Sequence, residues 1–495
     1  MKSVVMIAHD FPPEGNAGAY RPLRFARHLP AFGWRPAVVT VDADFFERYD
    51  PSLLSEVPGD LEIIRVPNRD PWQAFLARRS RRVGARLFQA SPAQASRILA
   101  SHRRPARARL REFLRSLEAW VYDPDIAMGW IAPAAKAVEQ LCRRLDARVI
   151  WATAGPMSSF HVAQRASRRT GVPYVLDFRD AWTITFNEFE ERRSPRARRR
   201  DRHNMFRLLS NAQSVIFRYD REAECFWRAY HGALKPSKIR IIPNGFEGEV
   251  ESFSAPQGEK CKILYTGTLS DYRFDTFLEA IRSLKQFFPE EAARLHCHFI
   301  GEGSQAIADR AREYEVADII TAESAIPSAS LVQRTRQAHG FLLLGRPPAM
   351  NGYELFAAAK LFGYLKSGKP ILGILPVDEA KRILQHMRAS MVADVDSVAD
   401  IVAVLRRLVR SWAEGTLESL SPDRIACRAY SASPQTEILV SALESTPSRD
   451  SHGMFVPGQV SIPASLQAEI ACRENAYKRK ATAIPLQAHR SSSRS

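Results

Sequence analysis

Short apolar runs alternate along this chain with longer stretches whose apolar residues recur at helical spacing. VVMIA at 4–8, AVVTV at 37–41, VIWAT at 149–153, YVLDF at 174–178 and SVIF at 214–217 are compact and rich in β-branched side chains, the pattern of strands buried on both faces. Amphipathic stretches such as 19–32 and 158–170 lie between them, so the runs read as strands of a parallel sheet joined by crossover helices. The rhythm restarts with KILYTG at 262–267, HCHFIG at 296–301, DIIT at 318–321, GFLLLG at 340–345 and PILGIL at 370–375. Two doubly wound, Rossmann-like α/β domains in tandem are therefore expected, at 1–240 and 241–415. KIRIIPNGFEGEV, in which Pro243, Asn244 and Gly245 make a sharp turn, is the expected link. A helical segment should follow over 416–445, and 446–495, rich in Ser, Pro and Arg, should be a flexible tail. Ligands of open α/β sheets bind beyond the carboxyl ends of the strands, so two facing domains predict one deep cleft.

Composition adds one unusual feature. With 495 residues, 45% hydrophobic and 25% charged, the chain is ordinary for a folded protein and unlike a disordered, collagenous or coiled-coil one. Its 71 Lys and Arg against 54 Asp and Glu give +17, and two segments hold the excess. Residues 78–115 carry twelve Arg and one acid, Glu112, for a net of +11, and 192–207 carry eight Arg and one acid, Asp201, for +7. The first is an insertion preceded by Trp72 and Phe75 and interleaved with Leu87, Phe88, Ile98 and Phe113, a mixture suited to anionic lipid headgroups. A solvated Arg-rich insertion and a nucleic-acid surface are the alternatives. No RNA-binding or helix-turn-helix signature accompanies the charge, so no nucleic acid is expected as partner.

Six cysteines stand singly, with no C-x-x-C pair, which indicates neither a zinc knuckle nor a disulfide framework and fits a reducing, cytoplasmic setting. The first apolar run has five residues before His9 and Asp10, too short for a signal peptide. No run of about 18 apolar residues occurs, so membrane contact is expected to be peripheral, on the inner face of the plasma membrane.

Several residues are placed for chemistry. After the first strand comes FPPEGNAGAYRPLRFARHL, where Gly15, Asn16 and Gly18 form a turn opening a helix. Amides at such a helix start attract anions, and glycine lets a phosphate or sugar come close. In LDFRD, Asp177 and Arg179 alternate at a strand end with Asp180 at the turn, so a carboxylate there can bind an acceptor hydroxyl, or an internal Asp–Arg pair can hold the loop. His161 follows GPMSS, whose Ser158 or Ser159 can cap a helix, and His9 ends the first strand. Both are candidates for acceptor or donor contact. No Ser-His-Asp order, metal-ligand spacing or P-loop is present, so hydrolase, metalloenzyme and NTPase classes have little support.

Read in order, HDFPPEGNAG, WATAGPMSSFH, LDFRDAWT, IIPNGFE, ILYTGTLSDYRFDTFLEAI, FIGEG and KLFGYLKSGKPILGIL resemble the landmarks of GT-B glycosyltransferases of family 4, in the bacterial polysaccharide branch, over roughly 1–415. The resemblance implies transfer of a sugar from a nucleotide-sugar donor to an acceptor hydroxyl, with retention of configuration and neither metal nor cofactor. It implies an acceptor site in the first domain and a donor site in the second, where cations must stabilise the leaving diphosphate. Thr268 stands at the family's Arg position, Arg273 lies five residues on, and Lys360 begins the KLFGYL helix. Gly301 and Gly303 of FIGEG are also placed on the donor side. Gly363 and Leu355 occupy the two acid positions of the family's E-x7-E motif, with Glu354 one residue away. The implied function is a metal-independent, hexosyl-transferring enzyme acting on a lipid-linked glycan in cell-surface polysaccharide assembly, with Asp180 and His161 as catalytic candidates. The departures at Thr268 and Gly363 keep a non-catalytic GT-B-like glycan-binding or scaffold protein as the alternative, and a nucleotide-sugar epimerase ranks third.

Overall fold

A computed structural model of the chain describes residues 1–46, 48–68, 124–179, 182–184, 195–269, 272, 274–326, 328–346, 355, 357–387 and 391–445. The basic insertion 78–115 and the tail 446–495 lie outside the described residues, as do the first three residues of the second basic segment.

The first sheet holds seven strands: β1 (Lys2–Ile7), β2 (Trp34–Val41), β3 (Glu62–Val66), β4 (Val149–Thr153), β5 (Tyr174–Asp177), β6 (Ser214–Phe217) and β7 (Ile239–Ile241). They run parallel in the order β3-β2-β1-β4-β5-β6-β7. Val5 sits at its centre, opposite Ala37 on one side and Ile150 on the other. Helices α1 (Ala17–His28), α2 (Ile131–Arg144), α3 (Ser158–Thr170), α4 (Pro195–Asn211) and α5 (Asp220–Ala229) connect the strands. Because the central strands are covered on both faces, β1 and β4 are apolar almost throughout and fully buried beyond Ser3.

The second sheet has six parallel strands, β8 (Cys261–Thr266), β9 (Leu295–Ile300), β10 (Ile320–Glu323), β11 (Gly340–Leu344), β12 (Ile371–Leu375) and β13 (Met391–Asp394), in the order β10-β9-β8-β11-β12-β13. Its helices are α6 (Asp275–Phe287), α7 (Ser304–Glu313), α8 (Ser328–Gln337), α9 (Lys360–Lys366), α10 (Glu379–Gln385) and α11 (Val398–Ala413). Both sheets reverse strand order beside their first strand, the place where doubly wound folds open a crevice.

The chain then crosses back. Helix α12 (Ala432–Glu444) puts Ile438, Leu439, Ala442 and Leu443 into the core around Val4, Trp34 and Trp151 of the first domain. Gln435 on the same helix donates to the carbonyls of Pro243 and Asn244 at 3.0 and 3.2 Å, clasping the link. Gly245 cannot carry a side chain here, since a Cβ would fall 2.1 Å from the Tyr430 carbonyl oxygen. A second strap joins the domains where Arg382 of α10, paired with Glu379 of the same helix at 2.8 Å, reaches Asp220 of α5 at 3.4 Å. No helix among the described residues is long and apolar enough to cross a membrane.

Candidate functional site

A cavity of about 1010 Å³ opens between the domains. Its first wall comes from the carboxyl ends of β1 and β4 and from α1, with His9, Asp10, Glu14, Asn16, Gly18 and Arg179 among the lining residues. Asn244 to Glu247 of the link form the floor, and Ala357, Ala359 and Phe362 stand on the second-domain side.

The first wall is a polar network built on the glycine turn. Asn16 caps α1, its Oδ1 accepting from the Gly18 amide at 2.8 Å. The Asp10 carboxylate takes His9 Nδ1 at 3.0 Å on one oxygen and the Arg179 guanidinium at 3.3 Å on the other. Burial pushes the Asp10 carboxyl upward, but the His9 hydrogen bond and the Arg179 charge outweigh it and hold it below the ordinary aspartate range. Arg179 also donates to the carbonyls of Ala154 and Gly155. Gly18 makes this packing possible, because a Cβ there would lie 2.2 Å from both Asp10 Oδ2 and Arg179 Nη1. A Gly15 Cβ would come within 2.8 Å of Asp50 Cβ, so that glycine lets the loop 48–50 close over the turn. The His9 ring stands edge-on to Trp130 at 5.2 Å, which leaves it directed by Asp10 and packed from the side.

Asp177 plays a different part from the expected acceptor contact. It is 0% exposed. Its two oxygens accept from Arg21 Nε and Nη2 at 2.8 and 2.7 Å, and Oδ2 also accepts from Thr153 Oγ1 at 2.9 Å. Arg21 uses two further donors on the carbonyls of Pro243 and Ile242, both at 2.9 Å. The pair thus ties β5, α1 and the link together, and an internal Asp–Arg pair does exist, but with Arg21 rather than Arg179. His161 sits on the first turn of α3, yet among the described residues lining the cavity it is absent while His9 is present. Asp180, Arg273 and Glu354 lie outside the described residues.

The second domain presents a cradle at the carboxyl ends of β8 and β9. Gly267, Gly301 and Gly303 adopt φ of +112°, +148° and +82°, backbone that favours glycine. Gly301 also passes so close to Gly267 that a Cβ would lie 2.2 Å from its carbonyl oxygen. Gly303 precedes α7 with no side-chain cap, leaving that helix start open to an anion. Lys360 turns beneath the Gly267 loop. Its ammonium donates to Tyr265 Oη at 2.6 Å and lies 3.8 Å from the centre of that ring, and Tyr265 in turn donates to the Thr268 carbonyl at 2.8 Å. Burial, helped by the charge of Arg346, pushes the Lys360 ammonium down to about 7. Thr268 is exposed. Gly363 faces open space, with nothing within 4 Å of where a Cβ would stand.

Sequence reasoning singled out Lys360 and the glycines but passed over Arg21, Arg24, Asp10 and Glu247. Two Arg three residues apart on the inward side of α1 were the available signal, since a buried helix face rarely spends positions on Arg unless each has a task.

No family model matches the sequence, and no curated protein matches it. Solved structures share the architecture. Sucrose-phosphate synthase from Thermosynechococcus elongatus is similar with a TM-score of 0.54 over 89% of this chain and 98% of its own, at 14% identity. HepE of Anabaena, solved in complex with UDP-glucose, gives 0.54 over 90% and 100% at 12% identity. TarM gives 0.53 over 90% and 99% at 10% identity. Two parallel-sheet α/β domains enclosing one cleft, matched over nearly their whole length by these structures, give this chain the GT-B fold.

Proposed function

We propose that the protein is a glycosyltransferase that moves a hexose from a nucleotide-sugar donor to a glycan acceptor, with retention of configuration and without metal, in the family 4 manner. The observation that carries this reading is that each domain offers a binding surface at the carboxyl ends of its strands, a polar wall along the cavity in 1–240 and the cradle of Gly267, Gly301 and Lys360 in 241–415. As the glycosidic bond breaks, charge grows on the diphosphate, and the open start of α7, the backbone at Gly267 and Gly301, and Lys360 are the groups that meet it. Arg273 and Glu354 belong with them on the donor side, and Asp180 with His9 and Arg179 on the acceptor side. HepE, of the same fold, was solved in complex with UDP-glucose, which makes uridine diphosphate sugars the donors to try first.

The acceptor is carried on a lipid, and the protein works in the cytoplasm against an anionic membrane surface in cell-surface polysaccharide assembly. Two facts support this. Asn68 and Ile126, on either side of the stretch that holds the twelve Arg of 78–115, both line the cavity, and Asn68 Nδ2 donates to the Ile126 carbonyl at 3.3 Å. On α4, Arg196, Arg199, Arg202, Arg207 and Phe206 are exposed, a cationic face with an aromatic side chain.

Isothermal titration against nucleoside diphosphates and nucleotide sugars, with and without magnesium, tests the donor half. Equal binding with and without the ion and an anomeric configuration retained in the product, read by NMR, are the expected results. Vesicles of 30% anionic lipid should bind the chain, and replacing the Arg residues of 78–115 should release it; unchanged binding refutes the membrane reading. The second reading, a non-catalytic glycan-binding or scaffold protein, is favoured by Gly363 and the uncharged Thr268, and failure to bind any donor in folded protein would establish it in place of the first.

A further inference from the structure

Arg21 and Arg24 stand three residues apart on α1 and both line the cavity, but they are treated very differently. Arg21 has a carboxylate and two carbonyls. Among the described residues Arg24, only 6% exposed, makes one hydrogen bond, from Nη1 to Gln435 Oε1 at 3.0 Å, and has no acid within ion-pair distance. Glu247, whose charge it feels from farther off, gives Oε2 to His28 at 2.9 Å, while its Oε1 has no hydrogen-bond partner. Burial and the neighbouring Arg21 lower the Arg24 guanidinium to about 10, so it remains charged at neutral pH.

A buried cation with no counter-charge in contact is expensive, and proteins seldom keep one that has no purpose. Four of the five guanidinium N–H donors have no partner among the described residues, and the cavity beside them has room for a ligand. The partner is therefore supplied from outside. Arg24 lies against the link and α12 and lines the cavity, whereas Gly267, Gly301 and Lys360 of the cradle, at the carboxyl ends of β8 and β9, are not among the described residues that line it.

We infer that Arg24 anchors a second anion subsite, on the first-domain wall of the cavity, that holds a phosphate or carboxylate of the acceptor. Only the word acceptor rests on the transferase reading; the subsite stands on the geometry. An anionic acceptor also agrees with the cationic character of the first half of the chain.

The test uses the full chain with the donor cradle filled by saturating UDP. Inorganic phosphate and glucuronate are then titrated separately by calorimetry. Heat from phosphate alone identifies a phosphate subsite, and heat from glucuronate alone a carboxylate subsite; either supports the inference if it depends on Arg24. Arg24→Gln should weaken the anion by about tenfold or more, the loss of charge-assisted hydrogen bonds, and leave UDP affinity unchanged, while Arg24→Lys should fall between. A purely structural Arg24 would behave otherwise: Arg24→Gln would then unfold at lower urea concentration than the parent, whereas removing an unneutralised buried charge leaves the midpoint unchanged or higher. The inference is overturned if neither anion binds the parent, if Arg24→Gln binds as the parent does, or if its urea midpoint falls. Absence of UDP binding counts against the transferase reading alone, since the anion titration still reports on Arg24.

Discussion

Replacing Asp177 with Ala should be among the most damaging single changes in the first domain. The substitution removes the carboxylate paired with Arg21, whose side chain is 3% exposed, and strands the Thr153 hydroxyl that now donates to it. Arg21 would keep the carbonyls of Ile242 and Pro243 but lose two of its four hydrogen bonds. Leaving a buried cation uncompensated costs about 3–5 kcal/mol, and at roughly 2–4 °C per kcal/mol for a domain of this size the first-domain transition should fall by about 6–20 °C. Calorimetry and urea unfolding followed by tryptophan fluorescence read the change, since Trp34, Trp130 and Trp151 are buried in this domain. Exchanging both partners, Arg21→Met with Asp177→Leu, should recover most of the loss, because no charge is then left without a partner. A cost for Asp177→Ala below about 1 kcal/mol, the worth of an exposed pair, would refute the reasoning and mean that water reaches Arg21. Lys2→Ala is the matched control: its partner Glu444 and Lys2 itself are about half exposed, and the change should be nearly silent.

Four further outcomes are expected. Lys360 loses its proton near pH 7 in the free protein, while a bound diphosphate favours the charged form, so affinity for UDP-glucose should fall by up to about tenfold per pH unit above 7, with proton uptake from the buffer; calorimetry in two buffers measures both, Lys360→Met should flatten the profile, and a flat parental profile would exclude the contact. The same lowered value means that the unfolded chain binds more protons than the folded one between about pH 7 and 10.5, so this group makes folding stability rise with pH across that window. Gly363→Glu places an acid into open space on α9, and it should fold at least as well as the parent and bind UDP more tightly if α9 borders the ribose; unchanged affinity would place the ribose elsewhere. Gly301→Ala forces a Cβ to within 2.2 Å of the Gly267 carbonyl at a φ of +148°, so donor binding should be lost and the second-domain transition lowered; parental behaviour in both assays would show that the loops can separate.

Much of the architecture was legible from local pattern. The ten apolar runs that predict strands correspond to β1, β2, β4, β5, β6 and β8 to β12, and the stretch 158–170 is α3 as its period implies. The strand before the Pro243 turn is β7, outside the two series of runs, and the strands that pattern did not reveal are β3 and β13; all three stand at the end of a sheet. An end strand is covered less completely, so EIIRV of β3 keeps polar residues and stays half-buried along most of its length, and β7 has only three residues. Their apolar signal is correspondingly weak.

The candidate site divides in the same way. Glycine at 15, 18, 301 and 303 could be read from sequence because a tight turn or close approach demands that residue locally. The partner of Asp177 could not, since Arg21 lies 156 residues away and nothing in LDFRD distinguishes a cleft carboxylate from a buried one. Nor could the choice of His9 over His161 as a cavity residue, or the return of α12 to the first domain, which gives Arg24 its one hydrogen bond. By itself the sequence determined which segments become strands and helices, the order in which they follow and the excess of positive charge, because propensity, periodicity and net charge depend on residue type and near neighbours. Only the tertiary structure decided which charges neutralise one another and which face the cavity, because electrostatic pairing and desolvation depend on distance in space, and the topology brings together residues from opposite ends of the chain.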